Sequence, residues 1–443
     1  MSALVISLLV IISIILIIVL TTSLKLHAFI ALFIVSVFLA FATLPANTII
    51  TTIREGFGGT MGSIGFLIIF GAIIGITLDK TGGTISIANF ILSKTGEKRS
   101  AGALGITGFI TGLPIFCDSG FIILSGLAKS FSSRTKLAMP FMATVLACSL
   151  YSVHCLIPPH PGALAAAGIF NVNIGYLIII GIFFAVPGAL SAYFWSKWMT
   201  KRTGASSAKV EESESITDKV DLPPALLSFL PIIVPLLLIA IKSLINLADK
   251  SGDSFVSRIF YLPGEPVIAL FIGVILSLLL IKKKSIRAMN SLFSEAIVKA
   301  GPILIITAAG GMFGMVIKAT GVGETMGKML SGTHVGLLVP FLIAAVMKTA
   351  QGSSTVAIIT TASFVAPMLP MLGLDTEWGR LMAMLAMGSG SMIVSHANDS
   401  YFWVVTNFGE IEINDTLKVY TSSTLIMGIT VFACVWLVSL FIL

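Results

Sequence analysis

Gly112-Leu113-Pro114-Ile115-Phe116-Cys117-Asp118-Ser119-Gly120, then Ile157-Pro158-Pro159-His160-Pro161-Gly162, interrupt strongly apolar sequence in the first half of the chain. In the second half Lys348-Thr349-Ala350-Gln351-Gly352-Ser353-Ser354-Thr355, then Ser395-His396-Ala397-Asn398-Asp399-Ser400, do the same. Proline removes a helical donor and glycine permits backbone angles that other residues avoid. Polar, chain-breaking residues at membrane depth are costly and persist where they line a cavity. Two such pairs, at matching places in two halves, point to the substrate site of a secondary transporter.

Working outward, the surrounding composition sets the solvent. The chain has 443 residues, 56% hydrophobic and only 11% charged, with mean hydropathy +1.04. A soluble domain carries about 25% charged residues, and a soluble fold of this composition would expose too much apolar surface. The class is an all-α polytopic membrane protein, because the runs are of helical length and lack strand alternation. A formal charge of +7 could suggest nucleic acid. Lys and Arg instead gather in short loops, as topology signals do, so the expected partner is the lipid bilayer and no nucleic acid. Cys117, Cys148, Cys155 and Cys434 form no close Cys-x-x-Cys pair, so neither a metal site nor a disulfide framework is expected. No Walker A pattern, nucleotide fingerprint or zinc-helix motif occurs, which argues against an ATP-driven pump or a membrane protease. No cofactor is expected. Residues 2–20 are apolar from the start and lack a basic leader or a small-residue cleavage site, so they read as a first span.

Runs of about 20 apolar residues suffice to cross a bilayer. Such runs occur near 2–21, 26–44, 61–79, 136–155, 174–196, 225–247, 266–281, 299–318, 379–394 and 420–442. Residues 101–127 and 335–369 are apolar but broken, and read as pairs of short spans or as re-entrant hairpins. Hairpins are favoured because Leu113-Pro114 and Gln351-Gly352 fall near their middles. The polar stretch 200–224, with Glu211, Glu212, Glu214, Asp218 and Pro223-Pro224, reads as a cytoplasmic linker between repeats at 1–199 and 225–443.

The halves share an order. Phe70-Gly71-Ala72-Ile73-Ile74-Gly75 precedes Thr81-Gly82, and Gly310-Gly311-Met312-Phe313-Gly314 precedes Thr320-Gly321. Short amphipathic pieces at 48–57 and 287–298 stand before them, and a broken hairpin and a broken span follow. Five crossings plus one hairpin per half require inverted repeats. With both termini outside, most of the 27 Lys and Arg lie in inner loops, including the run Lys282–Lys284.

The breaks supply the candidate site. Asp118 and Ser119 follow Pro114, and are read as substrate or proton ligands; the bland alternative is a capping or ion-paired carboxylate. Pro158-Pro159-His160-Pro161-Gly162 cannot be continuous helix, and His160 is a proton candidate because imidazole titrates near neutrality. A rigid surface turn is the alternative there. His154, six residues earlier, is either packed and hydrogen-bonded or functional. Gln351 is the only glutamine. With Ser353, Ser354 and Thr355 it suits a polyhydroxylated ligand; back-bonding to helical carbonyls is the alternative. Lys348 could neutralise a substrate carboxylate or pair with an internal Asp. His396, Asn398, Asp399 and Ser400 place four polar groups in five residues. His27 and His334 read as interfacial.

In these motifs the chain resembles the gluconate permease family of bacterial proton-coupled symporters, over essentially its whole length. The resemblance rests on Leu113-Pro114-Ile115-Phe116-x-Asp118-x-Gly120, Pro158-Pro159-His160-Pro161-Gly162, Gln351-Gly352-Ser353-x-Thr355 and Ser395-His396-x-Asn398-Asp399-Ser400-x-Phe402-Trp403. It implies uptake of gluconate or a related hydroxy acid with protons at the inner membrane. Relatives that carry other sugar acids and D-serine leave the substrate open, and a homodimer is implied only by the resemblance. Cys117 stands where many relatives have Phe, and Lys348 where many have Arg. The expected scheme has Lys348 and helix ends holding a carboxylate. Gln351, Ser353, Ser354, Thr355 and Asn398 would bond hydroxyls, and Asp118, His160, His396 or Asp399 would carry the proton. Sodium coupling through carbonyl and hydroxyl ligands is the alternative within transport; a membrane enzyme or a channel is the alternative outside it.

Overall fold

Apolar sequence without breakers becomes helix here, and the helices end at the polar breaks. The computed structural model describes residues 3–22, 24–95, 100–204, 222–248, 259–282, 285–320, 336–396 and 399–443. The main helices are α1 (Ala3–Thr22), α2 (Ala28–Thr43), α3 (Ala46–Thr81), α4 (Gly83–Thr95), α5 (Ser100–Thr111), α6 (Cys117–Thr135), α7 (Met139–Leu156), α8 (Pro161–Phe170) and α9 (Ile174–Thr203). They continue as α10 (Ala225–Ala248), α11 (Pro266–Leu278), α12 (Ile286–Ala319), α13 (Leu338–Gln351), α14 (Ser354–Val365), α15 (Glu377–Ser391), α16 (Ser400–Phe408) and α17 (Ile413–Ile442). Among the described residues six helices are long and apolar enough to span a bilayer.

The order of helix lengths recurs. A short helix (α2, α11) leads into a helix of 36 or 34 residues (α3, α12). A helix–break–helix unit follows (α5–α6, α13–α14), then a buried helix (α7, α15), a break, a helix of 10 or 9 residues (α8, α16) and a helix of 30 (α9, α17). The packing exchanges partners: α8 lies on α14, and α16 lies on α6.

Three readings from sequence change in detail. The amphipathic pieces at 48–57 and 287–298 are the opening turns of α3 and α12, not separate segments. No proline interrupts α3 after its N-cap, and Pro302 lies inside α12 without ending it. The span near 266–281 is a helix of 13 residues, about 20 Å long at 1.5 Å per residue. In the stretch 200–224, residues 200–203 are the last turn of α9, and Pro223 accepts a 2.6 Å hydrogen bond from Ser86. Residues 205–221 lie outside the described part.

All 18 residues of α7 are buried, so this helix is the axis of the molecule. Helices α9, α10 and α17 present Phe183, Phe194, Leu237, Leu244, Trp436 and Phe441 outward, as a lipid-facing surface requires. Helices α3 and α12 cross where side chains vanish. A Cβ on Gly56 would lie 2.7 Å from Met312 Cα, and one on Gly311 would lie 1.8 Å from Thr60 Oγ1. Small residues of this kind let membrane helices approach closely.

Candidate functional site

Each break has a local cause. After α13, Gly352 takes φ 83°, a left-handed value that glycine tolerates, and Ser353 caps α14 by accepting from Val356 N at 3.3 Å. After α5, the turn through Pro114 leads to α6, whose N-cap Phe116 supplies no capping side chain. After α7, Pro158 and Pro159 prevent continuation, and His160 is the N-cap of α8 with Pro161 in its first turn. Before α16, Asp399 accepts from Tyr401 N at 3.0 Å.

The N-termini of α6, α14 and α16 converge on a cavity of about 220 Å³. Its wall takes Phe116, Cys117 and Asp118 from α6, Tyr151 and His154 from α7, and Pro302, Ile303 and Ile306 from α12. Ser353, Ser354, Thr355, Val356 and Ile359 come from α14, and Asp399, Ser400 and Tyr401 from α16. Helix N-termini expose unpaired N–H groups and the positive end of the macrodipole, so three of them favour an anion. Hydroxyls of Ser353, Ser354, Thr355 and Ser400 add neutral donors and acceptors. Apolar Ile303, Ile306 and Ile359 close one side.

Beside the cavity sits a buried ion pair. Lys348 is 1% exposed; its Nζ lies 2.5 Å from Asp399 Oδ2 and also donates to the Gly352 carbonyl. Asp399 Oδ2 accepts from Ser395 Oγ at 2.5 Å as well. The ammonium lies 5.5 Å from the centre of the Tyr151 ring. Of the two readings for Lys348, pairing with an internal Asp is the one the structure contains, and Lys348 is not part of the cavity wall.

The structure therefore gathers Asp118, Ser353, Ser354, Thr355 and Asp399 in one wall. Ser119 stands behind it in the first turn of α6. His160 lies one ring away, its Nδ1 3.1 Å from His154 Nδ1. His396 is half-buried, with Nε2 3.2 Å from the Thr349 carbonyl and outside the wall. Asn398 and the side chain of Gln351 fall outside the described residues. Ser400, one of the four polar residues of the last break, lies in the wall, whereas Tyr151 and Tyr401 are wall residues that the sequence does not single out. The available signal was Tyr151 and His154 at i, i+3, polar tips on one face of an apolar helix. Among the described residues no group of three or more His, Cys, Asp or Glu side chains could hold a metal ion.

An all-α polytopic fold whose polar cavity lies among broken helices is the architecture of a secondary transporter. The chain belongs to the GntP family permeases, whose family model matches residues 4–441. It is 33% identical to the inner membrane permease YgbN of Escherichia coli, over 94% of each chain. It is 31% identical to a gluconate permease of Pseudomonas aeruginosa, over 96% of this chain and 95% of that one. The fold is shared with the Alcanivorax borkumensis YdaH transporter at TM-score 0.62, with 15% identity and 90% of each chain covered.

Proposed function

We propose that this chain is an inner-membrane symporter that carries gluconate or a related small hydroxy acid together with protons, by alternating access. The observation that carries the reading is the cavity lined by three helix N-termini, the Ser353, Ser354, Thr355 and Ser400 side chains and two carboxyl groups, of which Asp399 is paired with Lys348 and Asp118 has no cationic partner among the described residues. An anion gains from the helix ends, and its hydroxyls match Ser353, Ser354, Thr355 and Ser400. Lys348 and Asp399 neutralise each other. An ionised Asp118 would repel the substrate carboxylate, whereas a protonated one would donate to it, so proton and anion bind best together. Of the four proton candidates Asp118 fits this role: Asp399 holds Lys348, and His396 and His160 lie outside the wall.

Alternating access follows from two inverted repeats, 1–199 and 225–443, moving against each other about the cavity, with the breaks near 112–116 and 352–353 as the tips of re-entrant hairpins. Three ion pairs support the grouping of loops by face. Lys80 with Glu295 at 3.2 Å, and Lys129 with Glu410, join positions the charge distribution assigns inside; Lys242 with Glu265 joins two assigned outside. Both termini are then outside.

The test is uptake of radiolabelled gluconate into proteoliposomes with the interior alkaline, challenged with unlabelled fructuronate, glycerate, lactate and D-serine. Accumulation that a protonophore abolishes, without need for sodium, is the expected result. Asp118→Asn should keep gluconate exchange while losing at least tenfold of gradient-driven accumulation, roughly the scale of one lost charge-assisted hydrogen bond. Accumulation driven by sodium and indifferent to the pH gradient would replace the coupling ion.

A further inference from the structure

We propose that His154 and His160 form a one-proton relay that switches the Thr355 hydroxyl between the protein and the substrate. The inference rests on the proton-symport reading and adds a coupling element to it. The rings are buried, their nearest nitrogens 3.1 Å apart and their centres 4.5 Å apart. At one end His160 Nε2 meets the Gly112 carbonyl. At the other, His154 Nε2 lies 3.4 Å from Thr355 Oγ1, which faces the cavity. Gly112 follows α5 at the first break, and Thr355 lies in the first turn of α14 after the second. The chain of groups thus ties one break to the other through two imidazoles.

Donor and acceptor chemistry determines where the hydrogens sit. A carbonyl only accepts, so His160 Nε2 carries hydrogen. In the neutral ring Nδ1 is then an acceptor, and His154 Nδ1 must be the donor. Neutral His154 is left with an acceptor at Nε2, and Thr355 donates its hydroxyl hydrogen there, away from the cavity. One added proton reverses the last link. Whichever ring holds the charge, one hydrogen lies between the two Nδ1 atoms and His154 Nε2 becomes N–H. It donates to Thr355 Oγ1, and the hydroxyl hydrogen turns into the cavity. A second proton would set N–H against N–H across 3.1 Å, so the pair takes only one. A positive charge and a new donor therefore arrive at the cavity together, and both favour an anion. By linkage the anion favours the proton equally.

The titratable and charged groups around the pair are Cys117 and Asp118 on α6, Lys348 on α13, Asp399 and Tyr401 at the start of α16, and Tyr151 and Cys155 on α7 itself. Lys348 and Asp399 compensate each other, so the charge of the relay is set against Asp118 and the substrate.

Two measurements test the relay. In nitrogen-15 spectra of the full chain labelled at its five histidines, assigned with H154Q and H160Q, neutral His154 should carry its proton on Nδ1 and His160 on Nε2. A neutral His154 protonated at Nε2 overturns the proposal without reference to any ligand. In proteoliposomes, gluconate uptake and proton uptake are read together. His154→Gln should move one proton fewer per gluconate, a ratio read within the same vesicles and independent of how far the wall substitution slows transport. Thr355→Val should still carry the proton yet raise KM for gluconate about fivefold, the size of one neutral hydrogen bond, and Thr355→Ser should restore it. An unchanged proton count in H154Q, with the parent protein coupled, overturns the relay and leaves symport standing. Absence of gluconate-dependent proton uptake in the parent overturns symport and the relay with it.

Discussion

Lys348 and Asp399 form an ion pair 1% and 4% exposed at the side chain, in surroundings where a single charge is expensive. Lys348→Met should destabilise the protein by about 3–5 kcal/mol, because Asp399 would be left buried without its counter-charge. The double variant Lys348→Met/Asp399→Asn should recover much of that loss, as the burden lies in the uncompensated charge. Thermal unfolding in detergent measures both, and simple additivity of the single losses would refute the coupling. The four sequence motifs located most of these groups, since polar residues in apolar runs are conspicuous. Pairings were not legible. Lys348 and Asp399 are 51 positions apart, and whether an ammonium meets an internal carboxylate or a substrate depends on how two breaks are laid side by side. His154 shows the same gap: its sequence context does not reveal that its ring meets His160 on one side and the Thr355 hydroxyl on the other.

At the level of the helices, small residues determine how closely neighbours approach. Gly311→Val would push a side chain into Thr60 and the Gly56 carbonyl, so it should part α3 from α12 and sharply reduce folded yield. Gly102→Ala in α5 meets nothing within 4 Å and should be neutral or stabilising by up to about 1 kcal/mol, since alanine is the better helix former. Folded yield and melting temperature compare the two; equal effects would show that the close crossing is not what these glycines serve. The breaks at Gly112–Phe116 and Gly352 are readable, because proline and a left-handed glycine leave few alternatives. The unity of α3 was not. Its opening turns are amphipathic and its later turns apolar, and composition divides what continuous hydrogen bonding joins.

On the scale of the whole molecule, outward apolar side chains surround a fully buried α7. In a background without the four native cysteines, Asp375→Cys should react with an impermeant maleimide in intact cells, and Lys201→Cys only after permeabilisation, as the charge distribution requires. The opposite pattern would invert the topology. The sequence by itself determined the solvent, the helical class, the family resemblance and the places where helices break, because each of these depends on local composition and on backbone chemistry. Tertiary structure decided which broken ends meet, that three helix N-termini share one cavity, that Lys348 is already paired, and that two histidines on either side of a proline turn touch. Those are relations among distant segments. They arise when helices too apolar for water pack so that every interrupted backbone finds a partner, or a cavity, inside the protein.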